Sequence, residues 1–151
     1  MPTSLSLCAR LLKQDGIRHH LDEEDGVVLA VFVTRSYENA RGEHLAIVRI
    51  ETPDDGRRCR ASIAQAFRAH GDPGVACLAA CRLAATTPLV GVEYDAATDS
   101  LGLVVETVVE DGRLTKLQIF TMIDRLVETV EAWQTEMRVA MRRGTRKRGA
   151  A

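Results

Sequence analysis

Acidic side chains that could do chemistry cluster in residues 88–112, PLVGVEYDAATDSLGLVVETVVEDG, which hold six carboxylates. Converging carboxylates can act as general acid and base or hold a calcium ion. Along a strand, however, Glu93 and Asp95 point to one side, and Glu106 alternates away from its apolar neighbours on the partner strand. The loop DAATDSLG also lacks the regular ligand spacing and the turn glycine of a calcium loop. We interpret these acids as solvent-facing residues of a hairpin.

Histidines and cysteines could hold zinc, but their spacing does not favour it. His19 and His20 are neighbours on a predicted strand, so they face opposite sides of it. Cys77 and Cys81 share one helical face, whereas a zinc site commonly uses two close pairs of ligands. We interpret the cysteines as buried small hydrophobes and expect no metal and no cofactor.

Nucleophilic catalysis finds no matching pattern either. The sequence has no G-x-S-x-G, no cysteine beside a plausible base and no glycine-rich phosphate loop. We therefore expect a protein that is not an enzyme and has no catalytic residues. A cavity in which Glu93, His44 and Arg49 converge would reverse that expectation.

The C-terminal segment is strongly basic. Six basic residues and no acid occur between Arg138 and Arg148, so residues 1–137 carry a net charge of −7. Such a segment could contact phosphates of nucleic acid or of anionic lipid, although no aromatic side chain accompanies it for base stacking. We favour a solvated, disordered tail over residues 144–151 and keep phosphate contact as the alternative. The residues available for anion contact are Arg142, Arg143, Arg146, Lys147 and Arg148.

Other features of the sequence indicate the cellular compartment and the extent of the domain. The start of the sequence lacks the basic region and the long apolar core of a secretory signal. No apolar run approaches the ~20 residues that a membrane span needs. Four cysteines without a signal are typical of reduced thiols in a cytosol. We expect a cytoplasmic protein with no membrane partner, folded as one domain over residues 1–143.

The first half of the chain predicts a helix followed by strands. Residues 4–14 have an amphipathic helical pattern. IRHHL and VVLAVFVT flank the polar turn DEEDG as a hairpin, and HLAIVRIET is a third strand after the RSYENARGE loop. Residues 57–67 are ambiguous, because their alanines suit a helix while the alternation of Cys59, Ala61 and Ile63 favours a fourth strand. We favour the strand and leave the helix open.

The second half predicts two more helices around a second hairpin. Asp72 can cap the helix of PGVACLAACRLA, which is apolar nearly all round and is therefore expected in the interior. PLVGVEYD and SLGLVVETVVE form the hairpin. Thr115 and Gln118 make a capping box, after which an amphipathic pattern runs to about Arg143, with Gly144 as its stop.

The predicted order of elements is α-β-β-β-(β)-α-β-β-α, with the fourth strand in parentheses. Strands that follow one another directly pair as antiparallel neighbours, and the helices must bury their apolar faces against the resulting sheet. The sequence therefore predicts an α+β fold in which an antiparallel sheet has its helices packed on one side.

Several local strings carry a resemblance to a known family. They are TRSYEN at residues 34–39, GVEYD at 91–95 and RLT at 113–115. With the order of elements, they make residues 15–140 resemble the YbjN-like family of bacterial proteins, described as proposed sensory-transduction regulators. That family is similar in fold to type III secretion chaperones. The resemblance implies a chaperone-like fold and brings no catalytic residues with it.

Apolar surface in excess of one core indicates a protein partner. VVLAVFVT and LGLVVETVV do not alternate apolar with polar residues, as the strands of a one-sided sheet should. The last helix, at ~42 Å, should also overhang strands of ~27 Å, so that the first helix or a second subunit must cover its end. The candidate protein-binding residues are Phe32, Val104, Val108, Trp133, Met137 and Met141.

These patterns predict a non-enzymatic protein-binding adaptor or chaperone-like regulator that acts as a homodimer and binds a further, unidentified protein. The alternative is a nucleic-acid-associated regulator that uses the C-terminal arginines. Nucleic acid is not the expected partner, because the body of the chain is acidic. A monomer whose first helix covers all of the apolar surface also stays open.

Overall fold

The computed structural model describes residues 4–69, 71–109, 112 and 114–148, and from residue 143 onward it describes the backbone alone. The elements, in chain order, are α1 (Leu5–Gln14), β1 (His19–Asp22), β2 (Val27–Val33), β3 (Leu45–Glu51), α2 (Pro53–Gly56), β4 (Arg58–Arg68), α3 (Pro73–Ala84), β5 (Gly91–Asp95), β6 (Ser100–Val108) and α4 (Lys116–Arg148).

The strands of the described residues form one antiparallel sheet in the order β1-β2-β3-β4-β6-β5. Helices α1 and α4 pack on one face of this sheet, and α3 packs against α4 and β5. On β3, Ala46, Val48 and Ile50 are buried, whereas Ile47 is 43% exposed on the other side. We call these two sides the helix face and the open face. The predicted α+β class, with an antiparallel sheet and helices on one side, is confirmed.

Local signals explain where α1 begins and ends and where α3 begins. The Ser4 hydroxyl accepts a hydrogen bond from the Leu7 N–H at 3.2 Å, and Gly16 follows the end of α1 with a left-handed φ of 69°. At the start of α3, the Asp72 carboxylate accepts from the Gly74 N–H at 2.9 Å. These elements lie where the sequence predicted them.

Strand β4 resolves the ambiguity of residues 57–67 in favour of a strand, and it contains a bulge. Its register against β6 shifts between Ile63 and Phe67, and Gln65 takes a left-handed φ of 51° there. Gly102 on β6 faces this bulge, where an added Cβ would lie 3.3 Å from the Ile63 carbonyl oxygen. The absence of a side chain therefore lets the bulged strand approach closely.

Helix α3 does not lie in the interior, and that prediction is wrong. Only Ala76 and Ala80 are buried, while Leu78 is 54% exposed and Cys81 is exposed. The sheet order places β5 at an edge, so α3 packs against β5 and α4 on one side only. A nearly all-apolar helix therefore need not be buried by neighbouring elements on every side.

Helix α4 begins as predicted and ends later than predicted. The Gln118 amide oxygen accepts from the Thr115 N–H at 2.9 Å, and the Thr115 hydroxyl accepts from the Gln118 N–H at 3.2 Å, which completes the capping box. The predicted stop at Gly144 is wrong, because the helix continues to Arg148. The tail predicted from residue 144 therefore starts with helical backbone, and residues 149–151 lie outside the described part of the chain.

The far half of α4 does not overhang the sheet uncovered. Trp133 is 3% exposed and its indole N–H donates to the Thr87 hydroxyl at 3.2 Å, while Met137 is fully buried. The loop after α3 thus contacts the far half of α4, for which the sequence predicts cover by the first helix or a second subunit. None of the helices in the described residues combines the length and apolar composition that a bilayer span requires.

Candidate protein-binding face and arginine-lined cleft

The open face carries a continuous apolar patch on its first strands. We call this patch the apolar half; it consists of Leu29, Val31 and Val33 on β2 with Leu45 and Ile47 on β3. Val31 pairs directly with Ile47, and Val33 with Leu45, so the side chains form adjacent cross-strand pairs. Val33 is 84% exposed. Exposed apolar patches of this kind are typical of interaction sites.

A depression of about 290 Å³ lies in the apolar half. Its lining combines Leu29 and Ile47 with the charged residues Arg41, Glu43 and Arg49. An apolar recess beside charged residues can receive a large anchoring side chain from another protein, with the charges fixing its orientation.

The remainder of the open face, on β4, β5 and β6, is an ion-paired half. Arg60 donates hydrogen bonds to Glu93 at 2.5 Å and to Glu106 at 3.4 Å, and Arg58 donates to Glu106 at 2.6 Å and to Asp54 at 2.5 Å. The bond to Glu93, above all, raises the pKa of the Arg60 guanidinium. Glu93 and Glu106, which the sequence predicts to face only solvent, therefore neutralise arginines of β4.

Two further acids of the second hairpin stabilise its turn. The Asp95 carboxylate accepts from the Thr98 hydroxyl at 2.7 Å, and this bond lowers the pKa of Asp95. The Tyr94 hydroxyl donates to Asp99 at 2.8 Å. Residues 110–111 lie outside the described part of the chain. The described acids of this segment thus take structural roles in the hairpin and in ion pairs.

The structure separates the predicted protein-binding residues. Phe32 is half-buried against the core on the helix face, opposite to the side on which it was expected to bind. Val104 and Val108 do lie on the open face, and Val108 is 68% exposed, but β6 places them in the ion-paired half. Met141 lies off the open face, in a cleft beside α4. The sequence predicted strands with apolar residues on both faces, but it did not indicate which face of the sheet the helices cover.

The loop of residues 34–44, which leads from β2 to β3, is fixed to α4 by one carboxylate. Glu131 accepts hydrogen bonds from the backbone N–H groups of Arg35 at 2.5 Å, Ser36 at 2.8 Å and Tyr37 at 3.3 Å, and from the Ser36 hydroxyl. Burial raises the pKa of Glu131, but these hydrogen bonds outweigh it, so that the pKa lies below its ordinary value. Glu131 therefore holds the 34–44 loop in place while ionised.

An arginine-lined cleft of about 600 Å³ opens between this loop, the end of β4 and the last turns of α4. Helix α4 contributes Gln134 and the residues four, seven and eight positions after it, which share one face. The described lining contains three arginines and one glutamate, so that two of its positive charges have no matching negative charge within this lining. The residues that carry the argument are Glu38, Phe67, Arg68, Arg138, Met141 and Arg142.

Arg138 is held rigidly at the centre of the cleft. Its Nη2 donates to Glu38 Oε2 at 2.5 Å. With the Gln134 amide oriented so that its oxygen faces Arg138, that oxygen accepts from Nε at 2.8 Å and from Nη2 at 3.2 Å. Gln134 is itself buried. Among the described residues, no acid is found in an ion pair with Arg68 or Arg142.

Of the basic residues predicted to contact anions, only Arg142 has a described side chain, and it lines the cleft. The side chains of Arg143, Arg146, Lys147 and Arg148 lie outside the described part. Sequence reasoning missed the other cleft residues, which come from three separate segments. The available signal was the spacing of Gln134, Arg138, Met141 and Arg142 along one helical face.

The residues whose convergence would have indicated an enzyme lie apart. Arg49 and Glu93 are linked through Glu51 and Arg60 into a row of ion pairs on the open face, not inside an enclosed cavity. His44 Nδ1 lies 3.0 Å from the Tyr37 carbonyl oxygen in the 34–44 loop. The described residues contain no group of three or more acids, histidines or cysteines placed to hold a metal ion.

The cysteines are free, but they are not all buried as predicted. Cys8 and Cys59 are buried, Cys77 is half-buried and Cys81 is exposed, because α3 lies at the surface. Burial, followed by the charge of Cys81, raises the pKa of the Cys77 thiol. This combination does not favour a reactive thiolate at Cys77.

Comparison with known proteins identifies a fold. No protein-family model matches the chain, and no curated protein matches it significantly. The solved structure of YbjN from E. coli, described as a proposed transcription regulator, superimposes with a TM-score of 0.57 at 14% sequence identity. The match covers 88% of this chain and 92% of that chain. The protein therefore has a YbjN-like α+β fold, as the sequence resemblance implied.

Proposed function

We propose that this protein is a non-enzymatic regulator or adaptor that works by binding proteins, and that the apolar half of the open face is its binding surface. The observation that carries the proposal is a patch of five adjacent apolar side chains, of which Val33 and Ile47 are exposed and the other three partly exposed, on a sheet whose other face is covered by α1 and α4. The free cysteines are compatible with action in a reducing cytoplasm.

The partner that we propose for this surface is a second copy of the chain. A two-fold interface needs a self-complementary patch, because the same residues meet from both sides. The apolar half is flanked by charges of both signs at Arg41 and Glu43 and at Arg49 and Glu51. Each cation of one copy can therefore meet an anion of the other around an apolar centre.

The structural neighbour supports the regulatory part of the proposal. YbjN is described as a proposed transcription regulator, and this chain shares its fold over most of both lengths. A regulator can act without chemistry of its own by holding or releasing another protein. The exposed apolar half gives this chain a surface suited to that task.

Charge reversal of the patch tests the proposal directly. Val33→Glu and Ile47→Glu place a carboxylate in the apolar half, so that a dimer would bury unpaired charges and dissociate. Sedimentation equilibrium of the wild type should give a dimer, and both variants should be monomeric at the same concentration.

Val108→Glu is the matched control, because Val108 is similarly exposed on the same face but lies in the ion-paired half. It should leave the dimer intact. A wild type that stays monomeric across the concentration range contradicts the self-association. Equal effects of all three substitutions would contradict the assignment to the apolar half.

A nucleic-acid-associated regulator is the second candidate, favoured by the continuation of α4 through the basic segment to Arg148. A helix presenting several arginines can bind phosphates in a salt-dependent manner. Removal of residues 142–151 should then abolish binding to duplex DNA at low salt, while the oligomeric state stays the same. Absence of DNA binding by the full chain at low salt would exclude this candidate.

A further inference from the structure

The geometry points to the arginine-lined cleft as a binding site for a phosphorylated small molecule of about mononucleotide size. This inference does not depend on the protein-binding role, because the cleft lies beside α4 and shares only Asn39 and Ala40 with the depression on the open face.

The charge of the cleft favours an anion. Among the described residues, Arg68, Arg138 and Arg142 line it together with one acid, Glu38, although the body of the chain is acidic. Glu38 is already engaged by Arg138. A dianionic phosphate would match the two remaining positive charges, and its oxygens suit the planar fork of a guanidinium.

The site is ordered by the protein itself. Gln134 and Glu38 fix the Arg138 guanidinium from two sides, and Glu131 fixes the loop that carries Glu38. A donor that is already oriented loses little side-chain entropy when a ligand binds. Arg68 and Arg142 stand on opposite walls, on β4 and α4, so that a phosphate between them would bridge the two elements.

The size and the apolar part of the lining favour a small organic phosphate over a bare ion. The cleft measures about 600 Å³, within the range of small-molecule sites. The partly exposed Met141 contributes apolar surface next to the arginines, and Phe67 and Ala66 are buried in the lining beneath it. This combination suits a ligand with a ring or another apolar portion attached to its phosphate.

Calorimetric titration of the full chain with three probes tests the site. AMP carries both a ring and a phosphate, adenosine lacks the phosphate, and inorganic phosphate lacks the ring. AMP should bind at least tenfold more tightly than either of the others, and its affinity should fall as salt is raised.

Arg142→Gln and Arg68→Gln remove two exposed arginines for which the described part of the chain shows no ion pair, so neither substitution breaks a salt bridge seen there. Each should lower the affinity for AMP about tenfold, the loss of one charge-assisted contact. Arg125→Gln removes the same charge from an exposed position of α4 outside the cleft and should leave the affinity within about twofold.

Three results would overturn the assignment. The first is equal affinity for AMP and inorganic phosphate, which would reduce the cleft to a general anion site. The second is equal weakening by Arg125→Gln and by the cleft substitutions. The third is AMP binding that disappears when residues 143–151 are removed but survives Arg68→Gln and Arg142→Gln, which would place binding on the basic end of α4.

Discussion

The two faces of the sheet are built from alternate residues of the same strands, yet they are covered in different ways. On β3, Ile50 is 1% exposed beneath the helices, and Ile47 is 43% exposed on the open face. The open face itself divides, since β4, β5 and β6 pair their charges while β2 and β3 leave apolar side chains exposed. The contrast shows that alternate residues of single strands build a buried core on one side and a partly exposed surface on the other.

The largest expected difference between the faces is in stability. Ile50→Ala removes a buried side chain and leaves a cavity, so it should lower the free energy of unfolding by roughly 2–5 kcal/mol. The same substitution at Ile47, three residues earlier on β3 and on the open face, should cost less than about 1 kcal/mol in the monomer. Urea unfolding of both variants at one protein concentration measures the difference.

The costs of the two substitutions should depend differently on protein concentration. If the apolar half pairs two copies, the cost of Ile47→Ala should grow as concentration rises, because dimerisation adds to apparent stability. The cost of Ile50→Ala should change little. Equal costs for both substitutions at low concentration would show that the open face is covered within one chain.

An intermediate effect is expected at Glu131, which ties the 34–44 loop to α4 between the open face and the cleft. Glu131→Gln exchanges an ionised acceptor of several N–H groups for a neutral one and should cost about 1–3 kcal/mol of unfolding free energy at pH 7. The amide can still accept, which keeps the estimate modest. Chemical denaturation of the variant and the wild type gives the value.

The pH dependence of that cost has a defined sign. The pKa of Glu131 is lowered in the folded protein, so its contribution is complete above the ordinary value of 4.5 and is lost as pH falls through the lower folded pKa. The difference in unfolding free energy between the wild type and Glu131→Gln should therefore become smaller as the pH is lowered from about 5 to about 3. A gap that widens on acidification would contradict the role of the ionised carboxylate.

The fold could be predicted from the sequence because its signals are local. Capping at Ser4, Asp72 and Thr115 and the alternation along β4 depend on residues within a few positions of one another. Each such signal fixes a boundary or a period without knowledge of the tertiary structure.

The candidate sites could be predicted only in part, because they depend on the order of strands. The exposure of α3 follows from the edge position of β5, and the burial of Trp133 depends on a bond to Thr87, 46 residues earlier. The choice of Phe32 over Val33 required knowing which side α1 and α4 cover. The cleft joins residues from segments near 40, 67 and 140, and no local pattern relates them.

The smallest expected effect lies in the ion-paired half. Arg60→Gln removes hydrogen bonds to Glu93 and Glu106 on a face that water reaches, so it should cost only about 0.2–1 kcal/mol of unfolding free energy. In ~1 M salt the difference from wild type should shrink further, because exposed charges are screened within ~3 Å. Urea unfolding at low and high salt measures both values. A salt-independent loss as large as that of Ile50→Ala would mean that Arg60 acts as a buried, packed residue, and the description of this half of the open face as an exposed, ion-paired surface would no longer stand.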